Sequence, residues 1–330
     1  MRLSRRLAIL SGLSAVVAGP ATASSQGDPL PSWNPGPVKQ SIIDFVAKVT
    51  RPGPDFVPPP ERIAVFDNDG TLWVEQPLYT QVAFALDRAG EMAAKNPALR
   101  EKPAFRAAAD KDLAALAKLD EKALIELSLA TETGLTPEAY RALAATWLAR
   151  THHPKLATPY QRLVYQPQLE LLAYLRAHGF RTYIVSGGDV EFMRAFAENT
   201  YGVPPEQVIG SSQKAAYALT EGRAEVTFRP ELGSLDDGPG KPVNIALHIG
   251  RRPVIAVGNS DGDLAMLQYV AGRAGPSLAV LVHHDDDTRE YAYDRASHIG
   301  RLDKALDEAR ERKWTIVSMK SDWRTVFPRP

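Results

Sequence analysis

The stretch Ile63-Ala64-Val65-Phe66-Asp67-Asn68-Asp69-Gly70-Thr71-Leu72 constrains this chain more than any other. Its leading apolar residues include β-branched and aromatic members and suit a strand covered on both faces, as in parallel α/β sheets. The polar cluster then falls at the carboxyl end, where open α/β sheets bind ligands. Such a sheet requires further buried strands with helices between them.

The later sequence supplies them. Strand character returns at Arg181 to Val185, after a helix expected from Gln168 to His178 that Gly179 stops. Gln207 to Ile209, Pro253 to Val257 and Leu278 to Val282 repeat the style, and helical segments at 190–200, 242–249, 261–271 and 302–312 alternate with them. This is the βαβ pattern of a parallel sheet. Ala215 to Leu219 and Arg223 to Phe228, joined by Thr220-Glu221-Gly222, read as a hairpin inserted at its edge. From Leu78 to about Arg150 the chain is rich in alanine, leucine, glutamate and lysine, with breaks near Asn96-Pro97, Pro103 and Thr136-Pro137. That composition predicts a separate module of three or four helices. Residues 24–60 are punctuated by prolines around Ser41 to Ala47 and are expected to be a linker holding one short helix.

The 330 residues suffice for one large domain with an insertion or for two smaller ones. Residues 1–23 have the layout of a secretory signal peptide: basic Arg2, Arg5 and Arg6, an apolar run from Leu7 to Gly19, then Ala21-Thr22-Ala23. The run is too short for a spanning helix, which needs about 20 residues. A periplasmic or secreted protein without stable membrane insertion is expected, and Ser4-Arg5-Arg6 loosely matches a twin-arginine signal. Losing the leader leaves 36 of the 39 basic residues against 39 acidic ones, which gives no pointer to nucleic acid. With no cysteine, stability rests on packing.

Alone, Asp67-Asn68-Asp69 fits a turn or a fragment of a calcium loop equally well. Three later elements change that: Ser186-Gly187-Gly188 after one strand, Gly240-Lys241-Pro242 at a helix start, and Gly258-Asn259-Ser260-Asp261-Gly262-Asp263 after another strand. Parallel strands would bring these ends together. The set, in this order over about residues 60–330, resembles the haloacid dehalogenase superfamily of phosphohydrolases, and the helical insert resembles the cap of its phosphoserine phosphatase-like members. The resemblance implies an α/β fold: a Rossmann-like parallel sheet core at 61–75 and 164–330, with an inserted all-helical cap at 76–163.

It also implies a Mg2+-dependent phosphomonoester hydrolase acting through an aspartyl-phosphate on a small phosphorylated metabolite. A carboxylate attacking a phosphate dianion needs a cation and positive charge nearby. Asp67 would be the nucleophile and Asp69 the general acid and then base. Thr71, Ser186, Gly187 and Lys241 would contact the phosphate, with the Gly188 amide beside them. Asp67, the Asp69 carbonyl, Asn259 and Asp263 would form the metal site, with Asp261 as the alternative. The family's commonest pattern has aspartate at Asn259. Asp69 argues against dehalogenation, where no leaving oxygen needs a proton. A phosphotransferase, or a non-catalytic protein that binds a phosphate ligand, are the alternatives.

Trp73, Glu75 and Tyr79 are candidate substrate contacts, with Arg141, Trp147 and Tyr160 behind them, although Trp73 and Tyr79 equally suit packing. His283-His284-Asp285-Asp286-Asp287 reads as a solvated strand-to-helix turn capped by Asp287 or Thr288.

Overall fold

A computed structural model describes residues 27–116 and 118–328. The leader expected at 1–23 lies outside them. The strands are β1 (Ile63–Phe66), β2 (Arg181–Asp189), β3 (Val208–Thr220), β4 (Arg223–Ser234), β5 (Ile255–Gly258), β6 (Leu278–Asp285), β7 (Ala292–Tyr293) and β8 (Thr315–Ser318). They form one sheet in the order β4-β3-β2-β1-β5-β6-β7, with β8 also paired to β6. Pairings around β1 are parallel, and only β3–β4 and β6–β7 run antiparallel.

The helices are α1 (Pro37–Thr50), α2 (Thr80–Lys95), α3 (Pro103–Asp110), α4 (Leu113–Leu116), α5 (Glu121–Glu132), α6 (Pro137–Arg150), α7 (Gln166–Ala177), α8 (Val190–Arg194), α9 (Ala197–Tyr201), α10 (Gly240–Ile249), α11 (Leu264–Ala271), α12 (Lys304–Glu311) and α13 (Met319–Asp322). Among the described residues no helix is long and apolar enough to cross a membrane.

All four β1 residues are fully buried, and their alternation divides the core. Ala64 and Phe66 pack with Ile42, Val46 and Val49 of α1 and Leu171, Leu172 and Leu175 of α7. Ile63 and Val65 face Ile245 of α10, Met266 and Leu267 of α11, and Leu306 of α12. Both faces are therefore covered, as the continuous apolar run requires.

The segment 27–60, expected as a linker, instead packs on this core. Ile42, Val46 and Val49 recur at helical spacing, and their stripe on α1 is buried. Other expectations also shift. The strand at 207–209 and the first arm of the hairpin are one 13-residue strand, β3. The helix expected at 190–200 is two short helices separated at Phe196, and β8 was not anticipated.

The inserted segment is helical from Thr80 to Arg150, with breaks at Pro97, Pro103 and Pro137 and two more, one on either side of α4. Thr136 accepts the Ala139 amide and Pro137 opens α6, a capped start with proline where no amide is needed. Helices α2, α3 and α5 share a small core of Ala85, Ala89, Phe105, Ala108 and Leu127. The β3–β4 hairpin reaches this module through hydrogen bonds that link Gly134 and Leu135 with Phe228.

Candidate active site

Strand register creates the site. Phe66 lies opposite Ile184 of β2 and Val257 of β5, so the residues following each strand emerge at one level. The Asp67 amide donates to the Val257 carbonyl at 2.9 Å. Lys241, in the first turn of α10 and 2 % exposed, reaches across to donate to Asp67 Oδ1 at 2.6 Å and Asp263 Oδ1 at 2.5 Å. Asp263 Oδ2 accepts the amides of Asn259 and Ser260 at 2.9 and 3.0 Å. Asp263 is thus occupied in holding the loop and the lysine, and acts as support for Asn259.

Asp261, the alternative ligand, is not brought to the cluster: its Oδ1 accepts the amides of Asp303 and Ala305 at the start of α12. Thr71 is fully buried, and its hydroxyl donates to Asn259 Oδ1 at 2.9 Å and lies 3.5 Å from Asp67 Oδ2. It connects two expected metal ligands and does not face outward as a phosphate contact. Ser186 is buried at the end of the parallel part of β2, and its Oγ accepts the Gly188 amide. A methyl group at Gly188 would lie 3.5 Å from Asp69 Oδ2, so this turn closes one side of the Asp69 carboxyl.

Asp69 Oδ1 accepts the indole N–H of Trp73 at 2.9 Å, and that ring stacks on Phe196 at 4.5 Å. Trp73 is 1 % exposed, so the expected substrate contact is a buried support for Asp69. Tyr79 accepts the Gly300 amide. Arg141 pairs with Glu138 and with Glu191, which joins the inserted segment to the core, while Trp147 bonds Asp87 and stacks on Tyr160 within that segment.

Electrostatics distinguish the acids. Two buried carboxylates share one ammonium, so Lys241 is held charged and above its ordinary range despite burial. Burial, then the Asp263 charge, pushes Asp67 up to about 8 against the pull of Lys241. These two directions conflict over the shared contact. The lysine's carries more weight, because two carboxylates touch it, and burial followed by the second negative charge is what raises Asp67. Burial pushes Asp69 up to about 6, with the Trp73 hydrogen bond limiting the rise. Glu75 is raised to about 8 by burial, with His284 opposing.

His284 corrects an expectation. It lies on β6, which runs on to Asp285, and is 2 % exposed; its rings of neighbours are protein, not water. Nε2 contacts the Gly70 carbonyl at 2.7 Å and Nδ1 contacts Glu290 at 3.1 Å. Both nitrogens face acceptor oxygens, and against the pull of burial the Glu290 carboxyl holds the ring's pKa above its ordinary value. The turn that follows is capped by Asp286, which accepts the Thr288 and Arg289 amides. The signal for His284 was available: the apolar run of β6 continues in register, with every second residue facing the core.

A parallel sheet with a strand-end aspartate, a buried lysine and a helical insert defines a capped α/β hydrolase. The chain belongs to the haloacid dehalogenase-like hydrolase family, whose profile matches residues 64–268, more than half of its length. No curated protein matches it. The fold is similar to that of a conserved protein of unknown function from Anaerococcus prevotii, at 16% identity and a TM-score of 0.54, covering 85% of this chain and 91% of that one. A protein of unknown function from Bordetella pertussis matches at 16% identity and TM-score 0.49, over 78% and 98% of the two chains. A probable phosphoserine phosphatase from Vibrio cholerae matches at 18% identity and TM-score 0.37, over 73% and 59%.

Proposed function

We propose that the protein is a Mg2+-dependent phosphomonoester hydrolase that acts through an aspartyl-phosphate on a small phosphorylated metabolite outside the cytoplasm. The observation that carries this reading is the Lys241 ammonium bonded to Asp67 at 2.6 Å, with a second carboxyl, Asp69, two residues on and pushed up to about 6. Asp67 attacks phosphorus, and Lys241 offsets the charge between the two anions. Asp69, part-protonated near neutral pH, gives its proton to the leaving alcohol and then takes one from the attacking water. The Ser186 hydroxyl and the turn of Gly187 and Gly188 close over the phosphoryl oxygens.

The donors fit a hard cation. Among the described residues no group of three or more His, Cys, Asp or Glu side chains forms a metal cluster. The oxygens that do converge around Thr71 are one carboxylate oxygen, Asp67 Oδ2, and one amide oxygen, Asn259 Oδ1. Magnesium accepts such mixed oxygen ligands. When bound there, Mg2+ would neutralise part of the negative charge gathered at Asp67 and the phosphoryl group. Export rests on the sequence pattern of residues 1–23.

The test is release of inorganic phosphate from a panel of phosphomonoesters by the purified mature protein with Mg2+, beside Asp67→Asn and an EDTA-treated sample. Turnover that EDTA abolishes, Mg2+ restores and Asp67→Asn lacks is expected. No turnover on the panel, or turnover unchanged in the variant, overturns the mechanism. Adding alcohol acceptors separates hydrolysis from phosphotransfer.

A further inference from the structure

The metal position holds an amide, Asn259, and an amide has two ends that bind a cation very differently: the oxygen ligates and the NH2 repels. Something must fix which end faces Asp67. On one side lies the Thr71 hydroxyl, at 2.9 Å from Oδ1. A hydroxyl both donates and accepts, so Thr71 is indifferent to the amide's orientation. On the other side is Glu75, 2 % exposed, whose Oε1 accepts from Asn259 Nδ2 at 2.7 Å and from the Tyr293 hydroxyl at 2.7 Å. That oxygen accepts from both neighbours, the phenol hydroxyl and the amide NH2. Turning the amide over would set two oxygens 2.7 Å apart.

The slot for this carboxyl is built into the backbone at two places. Gly70 has φ +72° and Gly300 has φ +62°, and an added Cβ would lie 2.2 Å and 1.9 Å from Glu75 Oε1, respectively. The same methyl on Gly70 would be 2.1 Å from Asn259 Nδ2. Around the slot, Tyr293 stacks on the His284 ring at 4.4 Å, His284 holds the Gly70 carbonyl, and Tyr79 holds the Gly300 amide. Glu75 therefore faces Asn259 and Tyr293.

We propose that Glu75 is the positioning residue for Asn259: by accepting from the amide NH2 it turns the amide oxygen toward Thr71 and Asp67. This rests on the metal reading above. An amide suits this position because its NH2 gives Glu75 the donor that an aspartate side chain lacks.

The pair can be tested by exchange, on the full mature protein, with Mn2+ as the probe and isothermal titration calorimetry without substrate as the readout. Glu75→Gln and Asn259→Asp should each weaken Mn2+ binding at least about tenfold, the usual scale for residues that orient ligands. The double variant, which reverses the donor and the carboxylate, should return to within about twofold of wild type. Asn259→Asp binding Mn2+ as tightly as wild type or tighter, or a double variant no better than the singles, overturns the proposal. Should Glu75→Gln fail to fold, Tyr293→Phe decides, since it removes only the second donor to Glu75. A several-fold loss of Mn2+ affinity supports the pairing and an unchanged affinity overturns it. A wild type that binds no Mn2+ overturns the metal reading and the pairing together. Mn2+ binding without the exchange pattern overturns the pairing alone and leaves hydrolysis to its own assay.

Discussion

Two clusters of buried acids lie close together in this molecule and are built on opposite principles. At the strand ends, Asp67 and Asp263 share Lys241, Asp69 takes the Trp73 indole, and Glu75 takes Asn259 and Tyr293. In the seam between cap and core, Asp189 caps α8, Glu191 pairs with Arg194 and Arg141, and Glu132, 2 % exposed, has an Oε2 with no hydrogen-bond partner among the described residues. Burial raises carboxyls in both places. At the strand ends every acid also has a fixed donor and a direction, whereas Glu132 is held well above its ordinary range by burial and by the Asp189 charge. A shifted carboxyl is thus a sign of chemistry only where geometry gives it something to act on.

The sharpest way to break this contrast is Asp67→Asn, which should lower turnover by roughly four orders of magnitude or more while the protein keeps its thermal stability. Steady-state kinetics and a melting curve check both halves. Lys241→Met comes next. Leaving two buried carboxylates without their cation should cost about 3–5 kcal/mol in urea unfolding as well as abolishing activity. Trp73→Phe keeps the stack on Phe196 and removes only the donor to Asp69, and a loss of about tenfold in kcat, near the value of one hydrogen bond to a charged group, is expected.

The smallest effect separates the seam from the site. A carboxyl with a raised folded-state pKa favours the protonated form, so its cost is absent below the ordinary carboxyl range and grows as pH rises above it. Glu132→Gln should therefore raise the melting temperature by a few degrees at pH 8 and leave it unchanged at pH 4. Equal melting at pH 8 would show that the seam compensates Glu132 after all.

The convergence of the strand ends was legible because strand periodicity and strand ends are local. An apolar run that stops at Asp67, Ser186 or Asn259 states its own position, and Pro242 marks a helix start beside Lys241. The contacts of Glu75 and Asp261 were not legible, because their partners are 184 and 42 residues away. Nothing local in Trp73-Val74-Glu75 says that Glu75 turns toward Asn259. The prolines of 24–60 misled for a different reason: they bound a helix, and its buried stripe needed more weight than its punctuation. Similarly, two adjacent histidines suggest a polar turn only when the preceding strand is ended too early.

One feature outside the site has a consequence for the order of assembly. Trp33 packs edge to face on Trp323 at 6.1 Å, the Asn34 amide donates to the Asp322 carbonyl, and the Arg324 amide donates to that of Ser32. Closing a loop of this length costs about 5 kcal/mol of chain entropy before any contact repays it. The parallel strands around β1 can pair at much shorter separations, so this tryptophan clasp forms late, once β8 is in place to receive it. Helix α1 is then sealed against the sheet by a segment nearly three hundred residues downstream, which makes indole fluorescence at Trp33 and Trp323 a reporter of completed folding and not of its first collapse.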